Sequence, residues 1–448
     1  MFDVVIKDAK IVSSRGVVDG HVGISDGLIK AVAAPGEYLQ GREEIDAAQK
    51  YVLPGLVDAH VHIPGFVLSK HLDDFVSATK AAAAGGVTTV LLMPTDDPRT
   101  ATADYFERKR ESGIGKSYVD FGLQALIGPM TESIGDMADL GAVSFELFLA
   151  YGGMPHFIVG NDDYELQRIM ELVKDVDGIA GVTPHSPSLI ARLTAVHREN
   201  PAPSIETRAE TRPILSEALG ISRACTVAQL TGTSIHVRAL SSIPSIEIIK
   251  RFRDIAPITC EVISQHLLFD AKDARRMGSY GVITPPFRNA EHRSALRYAL
   301  RNKDIDMVVS DHSPGLKADK ERGQRDIWKS PPGMPGLQTL CATMLALVDD
   351  GHLSLTDVAR TCSENPARAF RLYPHKGEIA EGSDADLFLL DPGQKTLVRD
   401  DDQFSKANYT TLNGRTINWA IERVFLRGRT IFHNGAVVKT PSGQFVRP

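Results

Sequence analysis

Through the middle of the chain, short apolar runs alternate with longer segments whose apolar positions recur every three to four residues. The short runs read as strands buried on both faces, the longer ones as amphipathic helices packed on a core. Eight runs fit the strand pattern: GLVDAHVH (55–62), TTVLLMP (88–94), VDFGLQALIG (119–128), AVSFELFLAY (142–151), GIAGVTPH (178–185), SIHVRAL (234–240), ITCEVISQH (258–266) and DMVVSD (306–311). Helical patterns such as NDDYELQRIMELVKDV and SIEIIKRFRDI separate most of them. Eight strands alternating with helices predict an α/β fold, a (β/α)8 TIM barrel.

The two ends of the chain differ from the middle and resemble each other. Residues 1–51 carry extended patterns punctuated by Asp-Gly and Gly, in DVVIKDAKIV, GHVGISDG and LIKAVAA. The end carries SDADLFLLD and AIERVFLRGRTIFHNGAVV, with a hairpin turn expected at His433-Asn434-Gly435. The ends are therefore predicted to pair in one small β-sandwich domain. Its expected parts are 1–51 and 376–448, with the barrel at 52–375.

The barrel pattern locates the candidate chemistry, because such barrels carry their sites at the C-terminal ends of the strands. His60, His62, Tyr151, His185 and Asp311 all fall there. Strand residues two apart point the same way, so His60 and His62 can face one point and suit a divalent metal such as zinc. The plainer alternative is two polar residues at a strand end. Asp311 closes the last strand, next to the first in a closed barrel. It can ligate the same metal or take a proton from its water, or it can cap the next turn. Glu146, inside the apolar run SFELFLAYGG, needs a partner if buried. That partner is either a metal at the barrel centre or a barrel Lys or Arg.

Composition narrows the setting. The chain has 448 residues, 43% hydrophobic and 24% charged, with net charge −6 spread without runs. Nothing in it points to nucleic acid or an anionic membrane. The opening MFDVVIKDAKIV lacks signal-peptide character, and no apolar run reaches transmembrane length. Cys225, Cys260, Cys341 and Cys362 are widely spaced and form no CxxC pair, which favours a reducing cytoplasm.

GLVDAHVHIPG, AAAAGGVTTVLLMP, VSDHSPG, GMPGLQTL, SENPARAFRLYPHKGEIAEGSDADLFLLDP and LRGRTIFHNG resemble the cyclic amidohydrolases, the family of allantoinase, hydantoinase, dihydropyrimidinase and dihydroorotase. VSDHSP, GLQTL and the terminal GRT, LRG and GQFV resemble allantoinase most. The resemblance implies a metal-dependent barrel with a small β domain, acting on a small molecule as a homo-oligomer, dimer or tetramer. It also implies a two-metal site of HxH, a carboxylated lysine on strand 4, one His each on strands 5 and 6, and an Asp on strand 8. His60, His62 and Asp311 match that pattern. Glu146 stands at the lysine, Pro184 beside His185 at the strand 5 position, and Ala239 at the strand 6 His.

Three departures shape the expectation. The second metal position looks degraded, so one divalent metal per chain, zinc by donor type, is expected on His60, His62 and Asp311, with Glu146 or His185 as fourth ligand. His236 points to the opposite face and reads as packed or hydrogen-bonded. Ile63-Pro64-Gly65 stands where dihydroorotases carry a carboxylate-gripping Arg. Arg288, Gln265 and Gly336 are candidate substrate-binding residues, with a surface salt bridge as the alternative for Arg288. His266, beside Gln265, is a further candidate for lining the site. The implied activity is opening of a cyclic amide, ureide or imide by metal-bound hydroxide. Asp311 would shuttle the proton and Tyr151 would hold the oxyanion. The alternatives are a non-catalytic homologue, or a single-metal hydrolase or lyase of a non-cyclic substrate.

Overall fold

Phe2–Ser13 (β1) sits at the centre of a sheet that both ends of the chain build. The computed structural model describes residues 1–63, 73–128, 131–150 and 159–448. β1 pairs antiparallel with Gly16–Ser25 (β2), which pairs with Leu28–Ala33 (β3). It also pairs parallel with Gly41–Asp46 (β4) and Tyr51–Pro54 (β5). The far end joins through β5, whose Val52 lies opposite Leu389 of Leu387–Asp391. Ala420–Leu426, Arg429–His433 and Ala436–Val437 extend the sheet. The turn at Asn434 and Gly435 has φ of 48° and 83°, the left-handed pair that a tight two-residue hairpin requires. Residues 52–54, expected in the barrel, thus belong to the terminal sheet.

The barrel staves follow in order. They are Leu56–Val61 (β6), Val87–Leu92 (β7), Asp120–Leu123 (β8) continued by Ala125–Leu126 (β9), Phe145–Phe148 (β10), Ile179–Thr183 (β11), Ser234–Val237 (β12), Ile258–Ile263 (β13) and Met307–Val309 (β14). Neighbours pair in parallel, and Val61 bridges His312 to bring the first and last staves together. Each of the eight expected runs contributes one stave. Helices cover the outside; Phe75–Ala84 starts on an Asp74 capping box and stops at Gly85, before Gly86 with φ 76°.

The terminal domain is pinned to the barrel by charge. Lys376 Nζ lies 2.6, 2.7 and 2.6 Å from Asp120, Asp384 and Asp386. The three carboxylates lie close enough to hold a metal ion, but the ammonium already stands among them. The chain then returns to the barrel, where Phe121 N–H donates to the Gln444 carbonyl at 2.9 Å. Among the described residues, no helix is long and apolar enough to cross a membrane.

The barrel lumen departs from the usual filling of branched aliphatic side chains. Gln124, Ser144, Glu146, His236, Arg238 and Glu261 are buried there and bonded to one another.

Candidate metal centre

His60 lies in β6 and His62 just beyond it. Their Nε2 atoms stand 3.3 and 3.2 Å from Asp311 Oδ1. One donor atom from each of the three residues lies within 4.8 Å of the others, and all three side chains are buried. Asp311 follows β14 with φ 44°, a left-handed backbone that costs a non-glycine residue energy and is held by its surroundings. Those surroundings are visible. His62 N–H donates to the His312 carbonyl at 3.0 Å. Asp58 Oδ1 accepts from the backbone N–H of both His60 and Ser310, at 3.3 and 3.1 Å. His312 Nδ1 accepts from Gly336 N–H, so its Nε2–H donates to Asp73, 2.9 Å away. First and last staves are thus tied directly beside the candidate ligands.

The far sides of both imidazoles are occupied. His60 Nδ1 lies 2.5 Å from Glu261 Oε1, and His62 Nδ1 lies 2.6 Å from Thr95 Oγ1. A carboxylate only accepts, so His60 carries a proton on Nδ1, which leaves Nε2, beside Asp311, as the nitrogen that would face a bound metal. Burial opposes a charge on His60, but Glu261 and Asp311 outweigh it and raise its pKa; burial lowers that of His62. Two nitrogen donors and one carboxylate, converging with their outer partners in place, fit a divalent ion of the zinc type.

Glu146 is not among these donors. Its carboxylate takes Arg238 Nη2–H at 2.5 Å and Nε–H at 3.1 Å, with Ser144 Oγ at 2.9 Å. The expectation that Glu146 ligates the metal is therefore corrected: its carboxylate is paired with a buried guanidinium and lies outside the cluster of converging donor atoms. Gly181 makes this possible, since a Cβ there would collide with the Glu146 carboxylate. His236 is held by Glu261 at 2.9 Å and Thr259 at 2.8 Å. Arg238 and Glu261 escaped the reading of the sequence. The signal was available, because each is a charge within an apolar run of the sequence, as Glu146 is, and such charges must find one another.

A cleft opens above the donors. Met93, Phe148, Pro184, Ala239, Pro285 and Pro332 form its apolar wall. His185 lines the cleft but does not join the cluster of donor atoms. Its Nδ1 has no hydrogen-bond partner among the described residues, and burial lowers its pKa to about 4. Tyr151 lies outside the described residues.

The three expected substrate contacts do not line the cleft. Arg288 is partly buried and donates inward to Glu217, Ser241 and the Arg212 carbonyl, so its ion pair is with a buried carboxylate and not at the surface. Gln265 is buried just after β13, its Nε2 only 2.5 Å from where a Cβ on Gly336 would stand. Close packing between Gln265 and Gly336 is the physical reason neither reaches the cleft. His266 donates from Nε2 to the Pro285 carbonyl at 3.0 Å, behind the wall.

A (β/α)8 barrel with two histidines and an aspartate at its C-terminal mouth defines the class of metal-dependent hydrolases. The model of the amidohydrolase family matches residues 51–431, and the chain belongs to that family. It is 33% identical to an L-hydantoinase of Paenarthrobacter aurescens and 33% identical to an allantoinase of Rubrobacter xylanophilus, each over 100% of this chain and 98% of the relative. A dihydroorotase of Methanothermobacter thermautotrophicus is 31% identical, over 98% and 96%. Among solved structures, the L-hydantoinase (dihydropyrimidinase) of Arthrobacter aurescens superposes with a TM-score of 0.95 at 32% identity, covering 100% of both chains. Over the full length, allantoinase is not favoured above L-hydantoinase.

Proposed function

We propose that this chain hydrolyses a cyclic amide, ureide or imide at a single divalent metal, zinc by donor type, held by His60, His62 and Asp311. The observation that carries the reading is the convergence of two imidazole Nε2 atoms and one carboxylate oxygen at the foot of an apolar cleft. A divalent ion there would polarise a carbonyl and make water acidic enough to attack it. The Asp311 carboxylate takes the proton of the attacking water and delivers it to the departing ring nitrogen. Glu261 holds the Nδ1 proton of His60 throughout. His185, neutral near pH 7, offers a ring nitrogen to the polar edge of the substrate. Tyr151 is assigned the developing oxyanion on the strength of the family resemblance.

The cleft also bears on the substrate. Its apolar wall and the absence of an uncommitted Arg or Lys among its described lining residues support an uncharged ring over a carboxylate-bearing one. A cytoplasmic location is supported by four buried, unpaired cysteines. A homo-oligomer is supported by Leu215, Leu219 and Leu230, exposed on one face of Ile214–Thr231.

Elemental analysis followed by a screen of cyclic ureides, imides and lactams tests the proposal. About one metal equivalent per chain and ring opening of an uncharged substrate are expected. A metal-loaded protein that opens none of these rings would support the non-catalytic alternative.

A further inference from the structure

Arg238 lines the cleft yet is almost wholly buried. A guanidinium has five N–H donors. Here Nε and Nη2 grip Glu146 at 3.1 and 2.5 Å, Nη2 also donates to Gln124, and Nη1 donates to Glu261 at 2.9 Å and the Ala59 carbonyl at 3.2 Å. All five are committed, so none is left for a substrate. The Phe370 ring lies 5.6 Å from the guanidinium and 5.2 Å from the His236 ring, packed against both groups.

Glu261 is shared. One oxygen takes Arg238 and His236, the other takes the His60 imidazole. The cation is thus two contacts away from a candidate metal ligand. Without the guanidinium, Glu146, Glu261 and His236 would be two carboxylates and an imidazole around a buried void. Such a set binds divalent cations.

We propose that Arg238 is a fixed internal cation that closes the inner barrel to a second metal ion and, through Glu261, holds His60 in its ligating orientation. Arg238 is a positioning residue; its role rests on the one-metal reading above. The guanidinium satisfies the inner carboxylates with directional bonds. It leaves only the outer donors, His60, His62 and Asp311, open to an ion.

The test uses the full-length protein stripped of metal and reloaded with zinc. Arg238→Ala should take up about two equivalents where the wild type takes about one. Millimolar guanidinium should raise its metal-free melting temperature and return the uptake to about one. Uptake of one equivalent with unchanged affinity and no response to guanidinium would overturn the proposal. So would two equivalents in the wild type. If Arg238→Ala does not fold, the volume-conserving pair Glu146→Gln with Arg238→Met removes both charges together. Its outer zinc affinity should fall about 10- to 100-fold, as for loss of a group that orients a ligand; unchanged affinity would again overturn the proposal. A wild type that binds one zinc but opens no ring would sink the proposed activity and leave the metal-uptake test of Arg238 standing.

Discussion

Glu146 and Arg238 form a two-point ion pair inside the barrel, on β10 and immediately after β12, with contacts of 2.5 and 3.1 Å and both side chains fully buried. Removing one partner of such a pair leaves the other less compensated in a medium that cannot solvate it, here with Glu261 as the remaining carboxylate of Arg238. Glu146→Gln keeps the size and deletes the charge. It should destabilise the metal-free protein by about 3–5 kcal/mol. Urea unfolding of the metal-free wild type and variant measures this, and equal midpoints would make Glu146 a candidate ligand again.

Asp311→Asn should abolish turnover and leave the fold intact. The variant keeps the shape but loses the proton acceptor and one anionic donor. A group in that role is worth about 10²- to 10⁴-fold in rate. Steady-state kinetics beside a circular dichroism spectrum check it. A variant that keeps more than about a tenth of the activity would place the proton transfer elsewhere.

Glu261→Gln addresses the orientation of His60. The amide can present its NH2 to His60 Nδ1, which favours the wrong tautomer and turns an N–H toward the metal. Zinc affinity, read by competition with a chromophoric chelator, should fall by about 10- to 100-fold. His62, whose outer partner is Thr95, is untouched by the change.

His266 makes part of the stability depend on pH. Burial lowers its pKa from 6.5 to about 4, while the Pro285 carbonyl pulls the other way. The folded state therefore prefers the neutral ring. That preference stabilises the protein above the unfolded pKa and is lost as pH falls toward the folded one. It is worth about 3 kcal/mol, at about 1.4 kcal/mol for each pH unit that separates the folded and unfolded values. His266→Gln keeps a donor for the Pro285 carbonyl and removes the titration. Relative to this variant, the wild type should lose about 3 kcal/mol of stability between pH 7 and pH 4. Denaturation curves at the two pH values give the comparison; a constant difference would mean that His266 does not resist protonation.

The staves, the pairing of the chain ends and the HxH-to-Asp relationship were legible in order and spacing. Each is a local pattern: an apolar run of strand length, a turn pair such as Asn434-Gly435, or two residues of one parity on a strand. The boundary at Tyr51–Pro54 was not legible, since β5 is apolar enough for either layer and only its pairing with Leu387–Asp391 decides. Arg288 and Gln265 have the right chemistry in the right region of the chain. Their bonds and packing turn them away from the cleft.

The sequence by itself determined the barrel, the terminal β domain and the three outer donors, because strand periodicity sets which side chains share a face. It also determined that Glu146 must have a partner, because an isolated charge in an apolar strand is too costly to bury. Which partner it has was decided only by tertiary structure. Arg238 stands 92 positions along the chain from Glu146, and Glu261 stands 201 from His60. No periodicity relates positions so far apart. Closure of the barrel brings their staves within bonding distance, and there the guanidinium, with its five directed donors, holds the inner carboxylates and leaves the outer donors open.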